Sequence, residues 1–407
     1  MRGIVSLGLS VQNLVTTKAN FTICNIALFH PNPMAVIRGG YWRSSEADRF
    51  PPEKIRKTWF THLFYATVAI DPETYKIRLS DIDDTWMGRF TSVISQNSDV
   101  KCFLSIGEDT EASRTAFSKM VSSSAGRKSF IEDSIMVARK NGFHGLDLYW
   151  KYPATENESD MANLGLLFKE WRQSLIADAD PSASGKPGLL LSTIAYFAPK
   201  FFPANDKKAY LFQAIKDNVD FVNLVCYDYY GSQDVQATAE HALLNDQPGK
   251  KSTAYGISSW IDGERVPKEK IVMGLPLYGR TWTLKDPKKY WIGAPAAGVG
   301  LNNGVMDYSD IVIFNKDHQA VVVDDDNTAS TYSYAGQDWI GYDSEYSIER
   351  KVQYAKDHAL GGYFVWALGM DMDYVLPRKG SFTYTYIENH ALLIQISLTF
   401  LTMRIVC

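Results

Sequence analysis

Cysteine is scarce in this chain, with four among 407 residues: Cys24, Cys102, Cys226 and Cys407. Their spacing fits neither a metal knuckle nor a dense disulfide framework. Cys102 and Cys226 fall in apolar runs, where a thiol behaves as a small buried hydrophobe. Positive charge is not in excess: the net charge is −4 and the pI about 6.0. The chain therefore lacks the basic footprint of a nucleic-acid or anionic-membrane binder. Metal-ligand constellations, phosphate-cradling glycine loops, a nucleophile elbow, internal repeats and low-complexity linkers are missing too, and no cofactor is expected. The seven histidines are scattered, and Asp324-Asp325-Asp326 reads as a solvated turn. The C-terminal run from Ala391 to Cys407 is apolar with one charge, Arg404, but falls short of the roughly 20 residues a bilayer span needs. It reads as an anchor cut short, a GPI-type signal, or an unrelated tail from alternative or mis-called splicing; the last is favoured, and a membrane partner follows only if the tail is an anchor remnant.

What is present is ordinary globular composition, 45% hydrophobic and 22% charged, enough for one large barrel or two modest domains. Aromatics make up 13%, including 10 Trp and 23 Tyr; such rings either fill a large core or stack on sugars. Strand-like apolar runs alternate with helical patterns, which argues for βα units around a parallel sheet. The strands are read at Val36–Trp42, His62–Ile70, Lys101–Gly107, Gly145–Lys151, Leu189–Tyr196, Phe221–Tyr229, Ile271–Tyr278 and Gly361–Leu368. The clearest helices are Arg127–Lys140, Met161–Ala177, Lys207–Asn218 and Ser347–His358. Eight such strands predict an α/β fold, a (β/α)8 TIM barrel. About 80 residues separate the last two strands, far more than a βα unit needs, so a small α+β insertion is predicted there. The resulting division is a leader over 1–35, a barrel over 36–280 and 343–376, an insertion over 281–342 and an apolar tail over 377–407.

The most informative stretch is Phe143-His144-Gly145-Leu146-Asp147-Leu148-Tyr149-Trp150-Lys151-Tyr152-Pro153. Asn141-Gly142 breaks the helix before it. On a strand, alternate side chains share a face. Leu146, Leu148 and Trp150 then face apolar packing, while Asp147, Tyr149 and Lys151 line the other side. Such a polar row in a core needs partners, because an unpaired buried charge is very costly.

This segment resembles the active-site strand of glycoside hydrolase family 18, in particular plant class V chitinases, whose pattern is Asp/His-Gly-apolar-Asp-apolar-Asp-Trp-Glu-Tyr-Pro. Gly145, Asp147, Trp150, Tyr152 and Pro153 match, and His144 takes a position where plant members often have histidine. Tyr149 stands in place of the last aspartate and Lys151 in place of the catalytic glutamate. In the family the glutamate protonates the glycosidic oxygen and the substrate's own N-acetyl oxygen attacks the sugar carbon, outside the two-carboxylate scheme. A lysine, with an ordinary pKa of about 10.4, is a poor acid at neutral pH. Its cation would also oppose the positive charge developing on the sugar, by about 3 kcal/mol at about 5 Å and an effective dielectric near 20. Tyr149 supplies no anion either. Lys151 is expected to pair with Asp147 or Asp228 and fill the space.

Other strand ends carry the resemblance further. Ser105-Ile106-Gly107-Glu108 parallels a Ser-x-Gly-Gly motif, with Glu108 in the second glycine's place, where it is expected to crowd the backbone. Val225-Cys226-Tyr227-Asp228 follows Met-x-Tyr-Asp except at the first residue. Gly274-Leu275-Pro276-Leu277-Tyr278-Gly279-Arg280 matches fully, and Gly362-Tyr363-Phe364-Val365-Trp366 ends on the tryptophan against which a sugar would stack. The resemblance implies substrate contacts from Tyr41, Phe64, Tyr227, Asp228, Tyr278, Arg280 and Trp366, with Trp42, Ala195-Tyr196, Trp260 and Trp291 as weaker candidates. It also implies a monomer of the secretory pathway, extracellular or vacuolar. Arg2 with the Ile4–Leu9 run resembles the start of a signal peptide, and Asn20-Phe21-Thr22 and Asn157-Glu158-Ser159 are glycosylation sequons. The expected function is a catalytically impaired chitinase-like protein that binds chitin or N-acetylglucosamine oligosaccharides. An active chitinase with an unusual acid and a protein-binding inhibitor are the alternatives.

Overall fold

Strands buried on both faces of a parallel sheet need near-continuous apolar runs, and the chain supplies eight. A computed structural model describes residues 36–384, apart from 97, 180–186, 201–208, 247–250 and 263–264. The leader 1–35, with the Asn20 sequon, and the tail from 385 lie outside the described residues. The eight runs form β1 (Ile37–Arg43), β2 (His62–Ile70), β3 (Lys101–Ile106), β4 (Gly145–Leu148), β5 (Leu190–Tyr196), β6 (Phe221–Val225), β7 (Ile271–Pro276) and β8 (Gly362–Leu368). Each pairs in parallel with its sequence neighbours, and β1 pairs with both β2 and β8, so the sheet closes. This is the predicted (β/α)8 barrel.

Helices cover the outside: α1 (Asp81–Ser95), α2 (Glu111–Ser122), α3 (Ser124–Lys140), α4 (Asp160–Asp178), α5 (Phe212–Asn218) and α6 (Thr253–Ile261), with α7 (Tyr308–Asp317) in the insertion and α8 (Glu345–Asp357) before β8. Local chemistry sets their limits. Ser80 and Asp83 form a capping box at the start of α1. Ser123 ends α2 and caps α3 by accepting from the Gly126 N–H at 3.0 Å. Gly142, at φ +74°, turns the chain from α3 toward β4. The helix predicted from Lys207 begins only at Phe212, because Ala209 is drawn into a bridge with Lys200. A further helix spans 375–384 and brings Tyr384 within 6.5 Å of Tyr363. The first residues of the segment set apart as a tail thus continue the barrel's helical layer.

Between β7 and β8 lies an antiparallel sheet in the order Ala296–Val299, Tyr278–Leu284, Asp338–Tyr342, Ser330–Ala335, Val321–Asp325, with Val305–Asp307 also pairing with Tyr278–Leu284. It has its own core of Trp282, Trp339 and Tyr332. The seventh strand, predicted to reach Tyr278, ends at Pro276. Tyr278 already belongs to this second sheet, so Tyr278 and Arg280 sit where the insertion meets the barrel mouth.

Candidate functional site

The register of three barrel strands builds the site's floor. Ser105 of β3 lies opposite Asp147 of β4, which lies opposite Ser192 of β5. Both hydroxyls donate to the carboxylate, each at 2.7 Å. Tyr41 of β1 donates at 2.9 Å and itself accepts from the Asn223 amide at 2.8 Å. Asp147 is wholly buried, and burial pushes its pKa up to about 6 against the pull of Ser192, Ser105 and Tyr41. Its hydrogen-bonding needs are met by these side chains.

The ladder of β4 stops at Leu148, short of the predicted Lys151, although the Tyr149 N–H still donates to the Ile106 carbonyl at 2.8 Å. The alternation persists past the ladder. Trp150 turns outward and stacks on Phe117 of α2. Tyr149 turns inward and stacks on Trp366 at 5.3 Å and 27°, its phenol pushed up to about 12, mainly by burial. Lys151 corrects an expectation, because it reaches neither Asp147 nor Asp228. Its ammonium donates to Asp109 at 3.1 Å and lies 5.9 Å over the Tyr149 ring. Burial favours the neutral amine, but Tyr149, Tyr152, Asp109 and Asp228 outweigh it and hold the pKa above the ordinary lysine value. The group is therefore a cation. Asp109 also faces Arg114 at 3.6 Å.

Beyond the end of β6 stands a second charged cluster. Asp228, in the left-handed region at φ +62°, accepts from the Tyr278 hydroxyl at 2.7 Å and from Arg280 at 3.0 and 2.5 Å. His241, fully buried, stands 3.7 Å from the same carboxylate and meets the Tyr278 carbonyl at 3.2 Å. Burial would raise the Asp228 pKa, but His241, Arg280 and Lys151 hold it well below the usual carboxylate range.

Two cavities lie among the residues of the mouth, one of them lined by Tyr149. One, of about 290 Å³, is lined by Arg43, Thr67, Glu108, Asp109, Tyr149 and Trp366 among others. The other, of about 230 Å³, is lined by residues including Tyr152, Tyr196, Tyr227, Asp228, Gln233 and Lys251. Tyr41 and Phe64, both predicted to contact substrate, are register partners with no exposure, and their rings stack on each other at 4.3 Å and 11°. Trp42 and Trp260 are buried as well, donating to the Phe50 and Tyr196 carbonyls. Ala195 is buried beside Tyr196, while Trp291 lies exposed in the insertion.

The close approach expected at position 108 occurs one residue earlier. Gly107 is at φ +132°, and a Cβ there would fall 2.0 Å from the Tyr149 carbonyl oxygen. Glu108 instead borders the first cavity. Sequence reasoning missed Asp109, His241 and Ser192. Only Ser192 carried a readable signal, as a polar residue on the inward face of a strand level with Asp147.

Comparison with known proteins agrees with this geometry. The pattern of the glycosyl hydrolases family 18 matches residues 38–371. The chain belongs to that family. It is 38% identical to the class V chitinase CHIT5 of Lotus japonicus over 390 residues, covering 93% of this chain and 96% of the relative. The family 18 chitinase of Cycas revoluta, solved in complex with (GlcNAc)3, superposes with a TM-score of 0.81 at 37% identity, over 86% of this chain and 99% of that one. A chitinase-like agglutinin from Robinia pseudoacacia is similar at 37% identity and a TM-score of 0.78, over the same shares of both chains. In this family 18 chain the described site is an acid floor, a cation at its rim and an aromatic wall.

Proposed function

We propose that the protein binds N-acetylglucosamine-containing glycans without cleaving them, as a lectin or sensor. The ion pair between Lys151 and Asp109 carries this reading. At the position of the family's acid stands a permanent cation, and its counter-ion comes from a neighbouring loop. Three carboxylates around the mouth have other tasks, while Glu108 borders the first cavity. Asp147 is sealed beneath the rim, Asp228 is held by Arg280 and Tyr278, and Asp109 serves Lys151 and Arg114. Retention of Tyr227, Asp228, Tyr278, Arg280 and Trp366 supports a glycan as ligand, as does the (GlcNAc)3 complex of the Cycas chitinase. The chitinase-like agglutinin relative supports a binding role.

Titration calorimetry with chitin oligomers tests the reading alongside a turnover assay on a fluorogenic chitin oligomer. Heat without turnover is expected. Turnover abolished by Lys151→Ala would establish an active chitinase instead. The cover that Tyr149 places on Trp366 favours a second reading, a member that binds protein through the loops of the mouth. Oligomers giving no heat would turn attention to it.

A further inference from the structure

The rings at the mouth are arranged in an unexpected order. The indole of Trp366 meets Tyr41 at a tilt of 50° but Tyr149 nearly face to face, at 27° and 5.3 Å. Tyr149 keeps only 5% of its exposure. The Lys151 ammonium lies over the same ring while bonded to Asp109, so the phenol is held from both Trp366 and Lys151. The cavity containing Tyr149 and Trp366 and the cavity containing Tyr227 and Asp228 have no lining residue in common. Lys151 bonds to Asp109 on the first cavity's wall and directly precedes Tyr152, which lines the second. At about 290 and 230 Å³, each falls at or below the lower end of the range for small-molecule sites, about 300 to 1,000 Å³.

We propose that Tyr149 is a built-in occupant of the Trp366 face that divides the mouth into two short pockets, making this protein selective for short saccharides or chain ends over the interior of a long chitin polymer. The proposal rests on the glycan-binding reading above. The phenol takes the stacking surface a sugar ring would use, and Lys151 holds it in place by its bond to Asp109. A continuous chain of sugars cannot cross the mouth while the ring is seated.

The test is calorimetry of N-acetylglucosamine oligomers, dimer through hexamer, with the full chain and with Tyr149→Ala. Tyr149→Asp serves as a second opening variant should the alanine form fold poorly, and circular dichroism checks each. For the natural chain the affinity is expected to level off at the shortest oligomers. For the opened variants it should keep rising with length, reaching at least about tenfold tighter for the hexamer, the factor that one aromatic stacking contact supplies. Tyr149→Phe keeps the stacked ring and gives no such gain. Affinity of the natural chain that climbs with length as steeply as the variants' overturns the partition and leaves the glycan reading standing. Binding gained only on opening supports the partition and removes that reading from the natural chain. Folded variants that bind no oligomer remove both.

Discussion

Lys151 donates to Asp109, across 42 residues of sequence and at 3.1 Å, and leaves Asp147 to three hydroxyl donors on other strands of the barrel. The floor of the family site is thus assembled independently of the residue that distinguishes this chain. Replacing the two divergent side chains should restore chemistry without rebuilding the pocket. Tyr149→Asp with Lys151→Glu is expected to hydrolyse a fluorogenic chitin oligomer at least about 100-fold faster than the natural chain, the lower end of what a placed general acid contributes. Asp109, released from its lysine, then helps to keep the new acid protonated by like-charge repulsion. A double variant that folds and binds sugar yet stays inert defeats this account of the missing activity.

Asp147 and Asp228 should respond to pH in opposite senses. The folded pKa of Asp147, about 6, lies above the ordinary carboxylate value of 3.8. Over that window the native state binds more protons than the unfolded chain, so the contribution of Asp147 to stability is full below the lower value and lost as pH rises through the upper one. The loss is of the order of 3 kcal/mol. Urea midpoints of the natural chain and Asp147→Asn, compared at pH 4 and pH 6.5, should differ in this sense. The natural chain should lose more stability than the variant on going up in pH. An unchanged difference between the two pH values would show that Asp147 stays ionised throughout.

For Asp228 the depressed folded pKa reverses the sign. Its stabilisation is complete above the unfolded carboxylate value near 3.9 and fades as pH falls. Asp228→Asn should therefore cost about 2 kcal/mol at pH 7, in line with hydrogen bonds to a charged group, and less at pH 3, where the unfolded chain takes up protons while Asp228 stays ionised in the fold. Thermal unfolding of both proteins at the two pH values measures this. A cost identical at the two pH values would assign the residue's role to shape in place of charge.

Much of the fold was legible because burial on both faces leaves apolar runs of unmistakable length. β2 was read to the residue, and β1, β3, β5 and β8 within one or two residues at either end. The ends of β4, β6 and β7 were overrun for a common reason. Informative residues such as Tyr149, Asp228 and Tyr278 continue past the last ladder bond, and where a ladder stops depends on the neighbouring strands. The site was legible in its identities and less so in its pairings. Lys151 was read as a partner of the acids on its own strand or on β6, but its counter-ion, Asp109, lies on the loop after β3. No local pattern announces a contact between two loops. The burial of Tyr41 and Phe64 was missed likewise, because strand alternation gives the inward direction but not the depth in the barrel.

Gly107 and Glu108 allow depth and crowding to be tested together. The backbone of Gly107 has a φ that L side chains rarely adopt, and an added Cβ would press into the Tyr149 carbonyl oxygen at 2.0 Å. Strain of this kind costs about 1 to 3 kcal/mol by itself, and the clash with backbone must add to it, since β3 and β4 are joined there by the bond from Tyr149 N–H to Ile106. Gly107→Ala is expected to destabilise the barrel by about 3 kcal/mol or more and to shift the segment carrying Tyr149 and Lys151. Glu108→Gly removes a partly exposed side chain from the cavity wall and should stay within about 1 kcal/mol, with any loss arising from added backbone freedom. Chemical denaturation of the pair decides which position carries the close approach. A Glu108→Gly variant that gains several kcal/mol, or a Gly107→Ala variant that loses none, would place it one residue later than the geometry does.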